Sequence, residues 1–277
     1  MIWILKTLKM LKNMMMTYHK LPDGVVAFST TRHGGVSQGN YSEFNINPYC
    51  GDNLKAVEQN TALLANILFV PAKHIVLPHQ THGLEVRKIN DDFFDWEDTE
   101  RANYLEGVDA LITRMPNVCI GVSTADCIPV LLYDSAHRVV AAVHAGWRGT
   151  VKRIVQKVVR EMQSAFSTQG EVLKAIIGPG ISLAHFEVGD EVYEQFEHAG
   201  FHMENIAKRF PSPTIARSWK WHLDLWECNK RQLEEMGVLT ENIQVSGICT
   251  FAHSDDYFSA RKLGIHSGRI YTGIMMK

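Results

Sequence analysis

The chain has 277 residues, of which 45% are hydrophobic and 21% charged, and its net charge is -2. That length buries a sizeable core in one large domain or two small ones. The near-neutral balance excludes a basic nucleic-acid scaffold and an anionic-membrane binder, so any anionic substrate must be met by local Arg or Lys.

In chain order, residues 1–5 are apolar, but Lys6, Lys9 and Lys12 interrupt the run and no small-residue cleavage site follows. Met14, Met15 and Met16 are alternative starts, so residues 1–16 are expected to be a disordered or over-extended leader. The remainder, 17–277, is expected to be a single domain, since no Pro/Gly/Ser-rich linker divides it. Nothing approaches the roughly 18–20 apolar residues of a spanning helix. Residues 25–31 read as a strand running into a Gly34-Gly35 turn. Residues 53–69 carry Leu54, Val57, Leu64 and Leu68 at helical spacing. Strand-length apolar runs follow at 75–77, 84–89, 110–113, 119–123, 129–133 and 139–144. The last two are joined as a hairpin by residues 134–138. The acidic stretch 90–106 reads as a solvated excursion between strands. Thr150 is expected to cap a helix whose buried face is Val151, Ile154, Val155, Val158, Val159 and Met162. A strand over 172–177 ends at Gly178-Pro179-Gly180. Asp224 with Glu227 marks a helix over 225–236, and residues 243–249 and the C-terminus read as strands. Hairpins mixed with helices indicate α+β or a mixed-sheet sandwich. No G-x-G-x-x-G and no P-loop occurs. Five widely spaced cysteines without a CxxC argue against a disulfide framework and fit a reducing cytoplasm.

The chemistry lies in Thr124-Ala125-Asp126-Cys127 and, across the hairpin, His144-Ala145-Gly146-Trp147-Arg148-Gly149, with His79-Gln80-Thr81-His82-Gly83 upstream. They offer one thiol and two or three imidazoles, a set that Zn²⁺ accepts. Three protein ligands would leave one position open for water or substrate, as in catalytic zinc. The spacings match no local zinc ribbon, so such ligands must converge through the fold. Antiparallel pairing brings Cys127 at the start of one strand near His144 at the end of the other. The same residues are also compatible with a small buried thiol and a satisfied strand-end histidine. Asp126 could serve as a general base, as the acceptor for a ligand imidazole, or simply as a turn residue. Four arginines, Arg32, Arg148, Arg261 and Arg269, stand beside glycine or in loops, where a guanidinium fork could hold phosphate or carboxylate. Arg148 is the best placed of them, just before a helix N-terminus.

These motifs resemble the YfiH/laccase-domain family, also described as polyphenol-oxidase-like or purine nucleoside phosphorylase-like. The resemblance runs from about Phe28 to the C-terminus. It includes Phe44-Asn45-Ile46, Gln80-Thr81-His82-Gly83, Asp109-Ala110-Leu111-Ile112-Thr113, Phe258-Ser259-Ala260-Arg261 and Gly268-Arg269 beside the two central motifs. It implies a four-layer α/β/β/α sandwich with mixed sheets, akin to the catalytic domain of cytotoxic necrotising factor toxins. It implies one zinc per chain on His82, Cys127 and His144, and phosphorolysis of purine nucleosides (adenosine, inosine, guanosine, methylthioadenosine) with adenosine deamination. Purine nucleoside and phosphate are then the partners, with neither nucleic acid nor membrane, in a cytoplasmic protein for which a monomer is favoured. Within that reading, Asp126, Arg148, Cys127 and His144 are the candidate catalytic residues. Arg32, Asn45, His79 and Arg261 are the candidate substrate contacts. A lengthened loop between His82 and Asp109, Lys262 after Arg261, and His79 before Gln80 depart from the family pattern. Three rivals stay open: a peptidoglycan-precursor amidase using the same residues, a metal-free hydrolase with Cys127 as nucleophile and His144 as base, and a non-catalytic zinc-stabilised protein. A laccase is not expected, because no His-x-His pair occurs among 13 histidines. Copper would be an adventitious occupant.

Overall fold

A computed structural model describes residues 14–211 and 219–277. The first strands are β1 (Met16–His19), β2 (Val25–Thr30), β3 (Ile75–Val76), β4 (Glu85–Ile89), β5 (Val108–Thr113), β6 (Cys119–Thr124), β7 (Ile128–Asp134) and β8 (Val139–Ala145). They are followed by β9 (Leu173–Ile177), β10 (Glu187–Val188), β11 (Ala207–Pro211), β12 (Trp219–Leu223), β13 (Ile243–Val245) and β14 (Ile270–Met276). The helices are α1 (Leu54–Leu68), α2 (Asp98–Tyr104), α3 (Trp147–Val151), α4 (Ile154–Phe166), α5 (Asp190–His198), α6 (Met203–Ile206), α7 (Leu225–Glu235) and α8 (Ala260–Leu263).

A five-stranded sheet runs β1-β2-β14-β6-β3, and a six-stranded sheet runs β13-β9-β7-β8-β5-β4. Both mix parallel and antiparallel pairs. The alternation of a β-strand sorts the central side chains onto two faces. Leu111, Leu131, Tyr133, Val140 and Ala142 enter the core between the two sheets, with Ile120 and Ile274 from the five-stranded sheet. Ala110, Ile112, Val130, Leu132, Ala141 and Val143 face the opposite way, against Ile154, Val155, Val158, Val159 and Met162 of α4 and Leu225, Cys228 and Leu233 at α7. Leu64 and Leu68 of α1 cover the outer face of the five-stranded sheet through Phe28, Tyr271 and Met275. The result is α/β/β/α, as the resemblance implied. Each fully buried aliphatic side chain in these layers contributes roughly 1.5–3 kcal/mol relative to exposure. No helix among the described residues is long and apolar enough to cross a membrane.

Of the expected leader, residues 1–13 lie outside the described residues. Met16 pairs with Thr30 at the start of β1, and Met15 and Met16 are buried. Thr150 is not a helix cap: Gly146 caps the five-residue α3, in which Thr150 lies, and α4 begins only after Arg153 at φ 65°. The strand expected over 243–249 stops at Val245, leaving Cys249 in a single bridge to Gly180. The acidic excursion forms α2 and buries Phe93 and Leu105. All five cysteines are unpaired.

Candidate functional site

The ladder between β5 and β8 pairs Ala110 with Val143, so the next step along it sets Asp109 beside His144. Both point between the two sheets, the side to which Leu111 and Ala142 also belong. Their contact is a 2.7 Å hydrogen bond in which His144 Nδ1–H donates to Asp109 Oδ1, and both side chains are buried. That bond fixes Nδ1 as a donor to Asp109 and leaves Nε2 of His144 facing the cleft. Cys127 precedes β7, whose Ile128 pairs with Ala145, so Cys127 comes opposite Gly146.

Asp109 also organises the third arm. Its oxygens accept the backbone N–H groups of Thr81, His82 and Gly83 at 3.4, 3.0 and 2.6 Å. Converging on one carboxylate turns the chain sharply and holds His82 in the left-handed region at φ 61°, a conformation that costs free energy and persists only where neighbours enforce it. Gln80 fastens the same loop to β6 by donating to Ser123 O at 2.8 Å and accepting from Ser123 N–H at 2.7 Å. His82 Nε2 consequently lies 3.8 Å from Cys127 Sγ.

Among the described residues, His82, Cys127 and His144 form a group whose donor atoms all lie within 4.8 Å of one another. Ligand atoms on a tetrahedral zinc stand roughly 3.5 Å apart, so a small contraction suffices. Gly146 provides a second test of fit. A Cβ there would sit 2.9 Å from Cys127 Sγ, 3.0 Å from His82 Cδ2 and 3.7 Å from His144 Nε2. The three side chains gather around a point where this chain carries no side chain. Desolvation would push the Cys127 thiol up, but the His144 and His82 imidazoles override it and hold it down at about 6. Thiolate is the metal-binding form. Burial would lower His144, but Cys127 and Asp109 hold it above the usual histidine range. For Asp109, burial acts upward, and the bonds from His144, Gly83 and Thr81 more than offset it, leaving the carboxyl below its ordinary value.

The three side chains open onto a cleft of about 530 Å³, also lined by Tyr49, His79, Asp126, Phe186, Arg261 and Arg269. The acceptor for the ligand imidazole is Asp109, not Asp126. Asp126 lines the cleft at φ 90°, but Thr250 Oγ1–H and the Arg261 backbone N–H each donate to one of its oxygens at 2.7 Å. It ties the start of α8 to the β6–β7 turn. Arg261 NH2 donates to Glu187 O, while Arg269 donates from NH1 to Ser267 O and from NH2 to Ile265 O. Neither guanidinium has a carboxylate partner among the described residues, so both positive charges remain available to an anion. His79 also lines the cleft, with Glu106 holding its Nδ1.

Three of the expected residues stand elsewhere. Arg148 stacks on Trp147 at 4.3 Å, outside the cleft lining, and the five-residue α3 is too short to supply the helix-terminal field anticipated there. Arg32 donates to Ser42 O and Ser254 O and lies over Phe258. Asn45 is fully buried, donating to Asp52 and accepting from the Arg269 backbone; it shapes the wall behind Arg269. Sequence reasoning passed over Asp109, although it stood in a quoted motif, and did not select Arg269 among the four arginines.

A family model described as multi-copper polyphenol oxidoreductase laccase matches residues 26–277. The chain is 47% identical over 249 residues to a "Purine nucleoside phosphorylase" of Bacteroides thetaiotaomicron, covering 90% of each chain. It is 42% identical over 260 residues to "Adenosine deaminase RL5" of an unknown prokaryotic organism, covering 94% of this chain and 97% of that one. Among solved structures, the hypothetical protein YfiH of Bacillus licheniformis superposes with a TM-score of 0.85 at 27% identity, covering 95% of this chain and 96% of that one.

Proposed function

The chain belongs to the multi-copper polyphenol oxidoreductase laccase family, and from that premise we propose that it is a zinc-dependent purine nucleoside phosphorylase. Relatives at this level of identity carry enzyme names, two of them naming nucleoside chemistry. The observation that carries the proposal is one cleft holding both the His82–Cys127–His144 group and two arginines without acidic partners among the described residues. Two imidazoles and a thiolate in a three-ligand set suit one zinc with an open position. A multi-copper centre would call for more ligands than this group supplies.

A zinc ion held there would supply a Lewis-acidic charge to polarise an oxygen brought to it. The chain's own residues do the rest. Arg261 and Arg269 hold inorganic phosphate in position to attack C1′ of the ribose. A phosphate oxygen–C1′ bond forms as the C1′–N9 bond breaks, and the electron pair of that bond leaves with the purine. Tyr49, Ile181 and Phe186 give the base an apolar wall. Asp109 keeps His144 in one orientation throughout. Holding both reactants in register is itself worth several kcal/mol of barrier. Asp126, with both oxygens occupied, positions Arg261 in this scheme. Adenosine deamination at the same centre is the second reading, favoured by the relative named as a deaminase.

The test is inosine phosphorolysis by protein stripped of metal and then reloaded with zinc. Loss of hypoxanthine release on stripping and its return with about one zinc per chain is the expected result. Full activity in the metal-free protein would move the chemistry to a Cys127–His144 dyad, and zinc binding without nucleoside turnover would favour a peptidoglycan-precursor amidase or a non-catalytic zinc protein.

A further inference from the structure

Three residues before His82, the loop that carries it presents a second imidazole to the cleft. His79 Nδ1 lies 2.9 and 2.8 Å from the two carboxylate oxygens of Glu106. Its backbone N–H donates to Leu105 O at 3.0 Å, and a parallel bridge joins His79 to Glu106. Tyr49 stacks on the ring, centroids 4.2 Å apart and planes 22° from parallel. Desolvation, with the nearby Glu106 charge, raises the Tyr49 phenol above its ordinary value, so it covers the ring as a neutral group. One face and one edge of His79 are thus occupied. Nε2 has no hydrogen-bond partner among the described residues, and the side chain lines the same cleft as Cys127, His144, Arg261 and Arg269.

A carboxylate on Nδ1 fixes that nitrogen as a donor and turns Nε2 toward the cleft. The device matches the Asp109–His144 pair in form, but it stands outside the ligand group. Purine departure needs such a device: the electron pair released by C1′–N9 cleavage makes the base an anion unless N7 is protonated as the bond breaks.

Resting on the phosphorylase reading, we infer that His79, oriented by Glu106, is the general acid that delivers a proton from Nε2 to N7 of the departing purine. The atoms balance. The C1′–N9 pair passes into the purine ring, N7 gains the proton, and the base leaves neutral. The attacking hydrogen phosphate gives up its proton on becoming ribose 1-phosphate, and through solvent that proton restores His79. His79 is then a catalytic residue and Glu106 a positioning residue.

The experiment compares His79→Gln and Glu106→Gln with wild type on inosine and on 7-methylinosine, with phosphate and zinc present. N7 of the methylated nucleoside already carries a positive charge, and its base leaves without a proton. General-acid catalysis contributes about 10²–10⁴-fold, so His79→Gln should lose at least about 100-fold in kcat on inosine and stay within about threefold on 7-methylinosine. Glu106→Gln should show the same selectivity with a loss of about tenfold. Equal losses on the two nucleosides, or no loss on inosine, would overturn the assignment while leaving the phosphorylase reading intact. A wild-type protein that releases no base from either nucleoside would overturn the reading, and this assignment with it.

Discussion

Gly146→Ala isolates the metal group from everything around it. Gly146 has φ -65° and ψ 167°, extended backbone that alanine adopts freely, so the substitution brings no conformational penalty. Taken alone it should stabilise the apo fold by about 0.4–1 kcal/mol through the unfolded chain. The new methyl, however, would lie 2.9 Å from Cys127 Sγ and 3.0 Å from His82 Cδ2. Comfortable carbon contacts begin at about 3.5 Å, so two of the three ligands must retreat by roughly 0.5 Å or more. Metal–ligand distances tolerate only about 0.2 Å. Overpacking of this kind costs about 1–3 kcal/mol, equivalent to roughly 5- to 150-fold in affinity. The assay is zinc affinity by chelator competition, with the melting temperature of the metal-free protein as control. The expected result is a ten- to hundredfold weaker zinc site on a fold that melts within a few degrees of wild type. Zinc affinity within about twofold of wild type would refute the convergence of His82, Cys127 and His144 around this point.

Asp109→Asn removes the charge that accepts from His144 and three backbone amides; zinc affinity should fall about 10–100-fold, and unchanged affinity would show that the carboxylate does not orient the ligands. Arg261→Ala and Arg269→Ala should each raise the KM for phosphate severalfold or more, whereas Arg148→Ala should leave it unchanged; the reverse pattern would return the anion site to α3. Burial pushes the Asp134 carboxyl up, but Thr168, His137 and two backbone amides override it and hold it below its ordinary value. Because its folded value is depressed, its stabilisation is present above the unfolded value of about 3.9 and is lost as pH falls through the folded value. Wild type should therefore lose melting temperature more steeply below about pH 4 than Asp134→Asn, which should itself be less stable at pH 7 by about 1–3 kcal/mol; parallel acid profiles would contradict this.

The central hairpin was legible because β7 and β8 are continuous apolar runs joined by a short polar turn, and α1 and α4 because their apolar residues keep helical spacing. Other elements hide for physical reasons. β1 starts at the last residue of the expected leader, and its four residues show no alternation of buried and exposed side chains. β11 and β12 are largely charged or aromatic, and only the last two residues of β12 are buried, so no alternating face marks them. Thr150 looked like a cap because hydroxyl residues favour that position, but the helical turn starts earlier, with Gly146 as its N-cap. In the site, the three candidate ligands stand out as residue types near small residues and in family motifs. Their carboxylate partners do not. Asp109 and Glu106 act through space on residues 35 and 27 positions away, and only the register of β5 against β8 and the bridge at His79 bring them there. Arginines are ambiguous in sequence for the same reason. Arg32 and Arg148 match Arg261 and Arg269 in setting, and only the fold shows which of them face the cleft.

The most direct measurement follows the ribose product. Zinc-loaded protein given inosine with phosphate should release hypoxanthine and ribose 1-phosphate in equal amounts, release nothing without phosphate, and lose the reaction in Cys127→Ser. Hypoxanthine released at the same rate without phosphate, with free ribose as the product, would contradict the phosphorylase account.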